Sequence, residues 1–277
     1  MSLPLRIGIS PCPNDTFAFA ALLERRVETP GLDLDIVLDD VESLNRRFAA
    51  GELDAAKCSF AAALPLADRA VVLPSGSALG FGVGPVLLAR HAAARLTGSS
   101  RVLSPGERTT AHLLFRVFHP REGRVEQAVF SEILPRLERG EAEFGVCIHE
   151  ARFTFARRGL VLVEDLGTTF ERATGSPLPL GGILARKSLG RPTLDRLAGS
   201  IRASLAHAFE HRAETLPTMR RHAQELDDAV IWKHVELYVN ERTLDLGAEG
   251  RAAIATLRAI AIEAGALAPE VPDLETL

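Results

Sequence analysis

Up to Arg186, short apolar runs alternate with amphipathic stretches, and beyond it the helical period alone remains. Apolar, β-branched runs at 5–9, 32–38, 55–58 and near 70–73, with helix-period stretches at 16–25 and 41–50 between them, predict a β-α-β-α-β succession and a further strand. The succession then recurs, with strands at 102–103, 125–130, 144–148 and 160–165 around helices at 111–118 and 131–139. Alternation of this kind predicts parallel sheet flanked by helices. Apolar strands at 86–90 and 183–186, each introduced by turn residues, read as connections that cross between two halves and act as a hinge. The Gly-rich stretch 74–85 reads as the linker into the first of them. The C-terminal region predicts helices at 193–210, 213–224, 228–239 and 248–264, with Gly247 and Gly265 as caps.

The two halves copy each other. Gly51-Glu52-Leu53-Asp54-Ala55-Ala56-Lys57-Cys58-Ser59-Phe60 returns 89 positions on as Gly140-Glu141-Ala142-Glu143-Phe144-Gly145-Val146-Cys147-Ile148-His149. Both copies follow an amphipathic stretch and enter an apolar one, so both read as helix, turn and buried strand. A second echo pairs Ser10-Pro11, before Asn14-Asp15-Thr16, with Ser104-Pro105, before Thr109-Thr110. A third pairs Gly84-Pro85-Val86-Leu87-Leu88-Ala89-Arg90 with Gly181-Gly182-Ile183-Leu184-Ala185-Arg186. Three echoes in one order predict two related lobes, the first built from 1–85 and 187–277, the second from 86–186, with a cleft between them. Ligands collect at the carboxyl ends of parallel strands. Ser59 and His149, at two such ends, are therefore expected to face one another across the cleft.

Composition narrows the classes. A chain of 277 residues with 47% hydrophobic and 25% charged positions buries an ordinary core and is neither disordered nor fibrous. A net charge of −4 leaves no electrostatic footprint for nucleic acid, and Arg157-Arg158 is too short a cluster to supply one. No apolar run reaches membrane-span length, and Met1-Ser2-Leu3-Pro4 runs straight into the first strand without an export leader. Cys12, Cys58 and Cys147, an odd number at wide spacing, suit a reducing compartment. The expected location is the cytoplasm.

The chemistry is sought at the strand ends. His149, followed by Glu150 and Arg152, has the side chain best suited to take a proton near neutrality and return it later, or it is a hydrogen-bonded structural histidine. Thr109 and Thr110 at a helix start offer hydroxyls and open N–H groups to an anion such as a carboxylate, with plain capping as the other reading. Asn14 opens the first lobe's helix in the same way, and Lys57 and Ser59 add a charge and a hydroxyl. Arg152 is a further cation for a substrate carboxylate. Trp232, His234 and Tyr238 read as packing on a helix that roofs one side of the cleft. No spacing of Cys, His and carboxylates predicts a metal, and Gly80-Phe81-Gly82-Val83-Gly84 lies outside the strand-to-helix turn that a dinucleotide site needs. No cofactor is expected.

Ser10-Pro11-Cys12-Pro13-Asn14-Asp15-Thr16-Phe17, Lys57-Cys58-Ser59-Phe60-Ala61-Ala62, Thr109-Thr110-Ala111 and His149-Glu150-Ala151-Arg152-Phe153-Thr154, with Ile231-Trp232 and His234-Val235 further on, resemble the 1,4-dihydroxy-6-naphthoate synthase family along almost the whole chain. Cys58 departs from the leucine more usual there and is given no chemical role. The resemblance implies a two-lobed fold like that of type II periplasmic binding proteins, with two mixed sheets flanked by helices and a helical C-terminal region. It implies a carbon–carbon lyase of menaquinone biosynthesis acting on cyclic dehypoxanthine futalosine, a carboxylated small molecule. It makes His149 the proton acceptor and Lys57, Cys58, Ser59, Thr109 and Thr110 substrate contacts. Two other classes remain open: chorismate dehydratase of the same pathway, and a cytosolic solute-binding protein without catalysis. The oligomeric state is not legible in the residues.

Overall fold

The structure, a computed structural model that describes residues 3–223 and 227–277, begins as the periodicity predicts. In chain order the first part comprises β1 (Leu5–Ile9), α1 (Pro13–Ala18), α2 (Ala20–Leu23), β2 (Leu34–Leu38), α3 (Val41–Ala50), β3 (Ala55–Ser59), α4 (Phe60–Ala63), β4 (Ala70–Val72) and β5 (Ala78–Gly80). The second comprises β6 (Val86–Ala89), β7 (Arg101–Ser104), α5 (Thr110–Phe118), β8 (Arg124–Gln127), α6 (Phe130–Glu138), β9 (Phe144–Cys147), α7 (Ala151–Thr154), β10 (Val161–Asp165) and α8 (Leu166–Thr174). Then come β11 (Leu178–Arg186), α9 (Arg191–Glu210), α10 (Leu216–His222), α11 (Asp228–Tyr238), α12 (Glu241–Leu244) and α13 (Gly247–Glu263). The predicted end of the tenth helix, Gln224, lies outside the described residues, as do Met1 and Ser2.

The internal copy has a structural meaning. α3 and α6 each end at a glycine with positive φ, Gly51 (93°) and Gly140 (72°), which lets the chain turn back without a side-chain clash. β3 and β9 then start at equivalent points of the copy and lie next to β1 and β7, parallel to them. The first sheet runs β2-β1-β3-β11-β4, with β5 also on β11, and the second runs β10-β6-β9-β7-β8. β11 is antiparallel to β3, and β6 is antiparallel to β9, so both sheets are mixed.

Alternate residues along the strands enter different cores, as the pleat requires. In the second sheet Leu87, Ala89, Val102, Phe144 and Val146 face one core, while Val86, Leu88, Leu103 and Cys147 face another, covered by Ile133, Leu134 and Leu137 of α6. The first of these cores continues to the first sheet through Ala56, Cys58, Leu178 and Leu184 and is closed by Leu257 and Ala261 of α13. Ile7, Ile9, Ala55 and Ile183 face the opposite way, onto α1, α9 and α11. The C-terminus returns to the first sheet, where Leu277 N–H donates to Val72 O at 2.9 Å.

The expected crossing strands require correction. β6 pairs only within the second sheet and β11 only within the first, so neither passes between them. The chain crosses instead at 81–85 and 166–177, and sheet membership puts 178–186 with the first lobe rather than the second. The sequence hid this because β5 lies inside the Gly-rich stretch read as linker, and α8 has no counterpart in the other half. The crossings touch at Gly84 and Gly167, where a Cβ built on Gly84 would stand 2.2 Å from Gly167 Cα. Only two glycines permit that approach.

Candidate active site

A cleft of about 650 Å³, counting its open mouth, lies between the sheets. Ser10, Asn14, Asp15, Lys57, Ser59, Thr109, Thr110, His149 and Tyr238 all line it. Ser59 and His149 are thus brought to one cavity, each at the carboxyl end of its central strand, as the copied segments predict.

His149 sits just past β9 with φ +58°, a left-handed conformation that costs a non-glycine residue free energy and recurs at functional sites. Its ring lies edge-on to Phe130 at 5.0 Å and parallel to His234 at 5.9 Å, with 15° between the planes. Nε2 is buried and has no hydrogen-bond partner among the described residues. Burial pushes the imidazole down to about 4, aided by Lys57 and opposed by Asp15. The His149 imidazole is therefore uncharged at neutral pH.

Below it runs a polar chain. Lys57 Nζ pairs with Asp15 Oδ1 at 2.7 Å, both side chains at least nine-tenths buried, and also donates to Gly76 O at 2.8 Å. Asp15 takes two further bonds, from Ser10 Oγ at 2.6 Å and Asn14 Nδ2 at 2.8 Å. Lys57 thus already has its counter-ion. Asn14 in turn meets His234 Nε2 through Oδ1, at 2.9 Å. Ser59 is held by Asn45 of α3, which accepts from its N–H at 2.9 Å and donates to its Oγ at 3.3 Å. This leaves the Ser59 hydroxyl proton available to the cleft. Burial raises the Cys58 and Cys147 thiols well above the ordinary value, so neither is a nucleophile at neutral pH.

The threonines line the cleft, but their hydroxyls are committed. Thr109 Oγ1 donates to Gly106 O at 2.8 Å and accepts from His112 N–H at 3.1 Å, which is an N-cap. Thr110 Oγ1 donates to Leu180 O at 2.7 Å and accepts from Ala61 N–H at 3.3 Å, so it ties the second lobe to the first. What α5 offers an anion is its N-terminal N–H groups and dipole rather than these hydroxyls. Arg152 does not reach the cleft lining. It donates to Gly84 O at 2.9 Å and to Asp165 Oδ2 at 2.5 Å, clamping one crossing segment to the start of the other.

A sequence model of the menaquinone biosynthesis family matches residues 5–263. The chain belongs to that family. It is 50% identical over 266 residues, 96% of each chain, to the 1,4-dihydroxy-6-naphthoate synthase of Thermus thermophilus. It is 44% identical to the enzyme of that name from Streptomyces coelicolor, over 97% of this chain and 96% of the relative. Among solved structures, protein AF1704 of Archaeoglobus fulgidus superposes with a TM-score of 0.91 at 29% identity, over 95% of this chain and 98% of that one. The periplasmic aliphatic sulphonate binding protein SsuA of Escherichia coli shares the fold, with a TM-score of 0.66 at 14% identity over 99% of this chain and 91% of the other. The expected two-lobed binding-protein-like fold is thereby confirmed.

In this family member several residues in and around the cleft have roles that the sequence pattern does not show. Asp15, in the sequence only part of a helix start, is the counter-ion that neutralises Lys57. Asn45 carried no signal beyond its place in an amphipathic helix, where it occupies the inward face with Leu44 and Phe48. His234 and Tyr238, one helical turn apart on α11, read as packing. Tyr238 lines the cleft, and His234 meets both Asn14 and His149. Trp232, on another face of α11, packs on Phe17 and under Arg212. Among the described residues no three His, Cys, Asp or Glu side chains cluster as metal ligands, and no helix is long and apolar enough to cross a membrane.

Proposed function

We propose that this enzyme of menaquinone biosynthesis converts cyclic dehypoxanthine futalosine into 1,4-dihydroxy-6-naphthoate, with His149 as general base. The observation that carries the reading is the uncharged imidazole of His149, with a partnerless Nε2, at a cleft lined by both lobes. Its neutral form can take the proton beside the substrate carbonyl. The enolate electrons complete the aromatic ring as the carbon–carbon bond to the sugar remnant breaks, and the remnant leaves with that bond's electron pair and takes up the proton held by His149. Ser59 lies in the same cleft with a free hydroxyl proton to offer an oxygen that gains charge. The start of α5 receives the substrate carboxylate through the Thr110 and Ala111 N–H groups, and Lys57, already neutralised, shapes the floor. The relatives from Thermus thermophilus and Streptomyces coelicolor, which carry this activity in their names, support the assignment.

The enzyme works on a carboxylated small molecule in the cytoplasm, a compartment that suits its three free, buried cysteines. The two lobes, 3–85 with 178–223 and 227–277, and 86–177, close on the substrate about the Gly84–Gly167 crossing.

Incubating purified protein with cyclic dehypoxanthine futalosine should produce the naphthoate absorbance and mass. His149→Ala should lower kcat by about 100-fold or more while KM stays within roughly tenfold, because a base acts in the transition state. Turnover of chorismate instead would move the assignment to the dehydratase. Tight binding without turnover of either would leave a solute-binding protein.

A further inference from the structure

His234 is nearly inaccessible to solvent, belongs to a C-terminal helix far along the chain, and has its ring almost parallel to that of His149. The hydrogen bonds around it fix its state. Asn14 uses its amide NH₂ on Asp15, so the Asn14 oxygen is what faces His234, and the imidazole must donate to it from Nε2. The neutral ring therefore carries its proton on Nε2 and a bare lone pair on Nδ1, and Nδ1 indeed has no hydrogen-bond partner among the described residues. Tyr238, one turn on, packs against this ring with centroids 4.6 Å apart and planes tilted by 46°. His149 in turn contacts both His234 and Phe130.

Resting on the general-base reading, we infer that His234 is a positioning residue for the reaction. Its ring, locked by the Asp15–Asn14 chain, forms the wall against which the His149 imidazole is seated, and it keeps water from that face. Among the described residues the charged and titratable groups around the ring pair are few. Asp15 and Lys57 face His149 from α1 and β3, and Lys57 and His149 face His234. Cys12 and Glu150 share a second, smaller hollow with His234, and Tyr238 closes α11's side. Lys57 and Asp15 offset one another, so what keeps His149 uncharged is chiefly the dry apolar seat of which His234 is one side.

The test compares His234→Ala, which removes ring and donor, His234→Gln, which keeps a donor without a ring, and His234→Phe, which keeps a ring without a donor. Folding of each is checked by circular dichroism, and the pH dependence of kcat/KM and the NMR titration of the His149 ring are then recorded. Alanine and glutamine admit water to the seat, so the His149 titration and the acid limb should move up from about 4 toward the ordinary 6.5. Phenylalanine should lower turnover yet leave both midpoints within about half a pH unit of wild type. A folded alanine or glutamine variant whose His149 titrates as in wild type overturns the proposal, as does a phenylalanine variant that behaves like alanine. The NMR titration reads the seat without turnover, so it decides the proposal even if His149→Ala retains activity and the base reading fails.

Discussion

Acidification probes the environment of His149 most directly. An exposed imidazole with the ordinary value of 6.5 is about one-tenth neutral at pH 5.5, whereas one held at about 4 is about 97% neutral there. The site should therefore retain nearly all of its kcat/KM at pH 5.5, where an unperturbed base would have lost about nine-tenths of it. Substrate is varied at each pH from 8 to 4, because kcat/KM reports the free enzyme, the state described here. The same burial also bears on stability. The folded-state value lies below the unfolded one, so the contribution is fully present above about 6.5 and is lost as pH falls through the interval down to about 4. The shift corresponds to about 3 kcal/mol, so circular dichroism must accompany every point and rates are taken only where the protein is folded. If kcat/KM halves near pH 6.5 in folded protein, His149 is not buried as an uncharged base, or it is not the group that takes the proton.

Three other outcomes follow from the same geometry. Gly84→Ala places a carbon 2.2 Å from Gly167 Cα and 2.6 Å from its N, so the crossing segments must part, and chemical denaturation should show a loss of about 3 kcal/mol; a change under about 0.5 kcal/mol would mean that the segments are not in contact. Asp15→Asn leaves the buried Lys57 ammonium without its counter-ion and should cost about 3–5 kcal/mol, read by urea melts, with Asp15→Asn/Lys57→Met recovering a good part of it. Thr110→Val strands Leu180 O and Ala61 N–H at the junction of the lobes and should cost about 1–3 kcal/mol, while Thr110→Ser, which restores the hydroxyl, should stay near wild type in the same melts.

What the chain alone determined is the part governed by local period and by its internal copy. β1 and α3 occupy the predicted spans, and β3 and β9 fall within a residue of theirs, because a half-buried strand or helix writes its own alternation into the sequence. The copy placed Ser59 and His149 at equivalent strand ends, and parallel pairing then brought both to the cleft. Capping at Thr109 was equally local. The tertiary structure decided everything that depends on partners distant in sequence. Whether Lys57 is a free cation or half of an ion pair depends on Asp15, 42 positions away in another element. Whether Thr110 offers its hydroxyl to a ligand or spends it between the lobes depends on Leu180. The crossings lie at Gly84 and Gly167 because two backbones approach there, and a glycine in a loop looks the same in sequence whether or not another chain segment leans on it. His234 read as packing because a helical stripe shows only that a side chain points inward. Its donation to Asn14 and its stack on His149 arise from the docking of α11 over the first lobe's strand ends, and no local pattern encodes that contact.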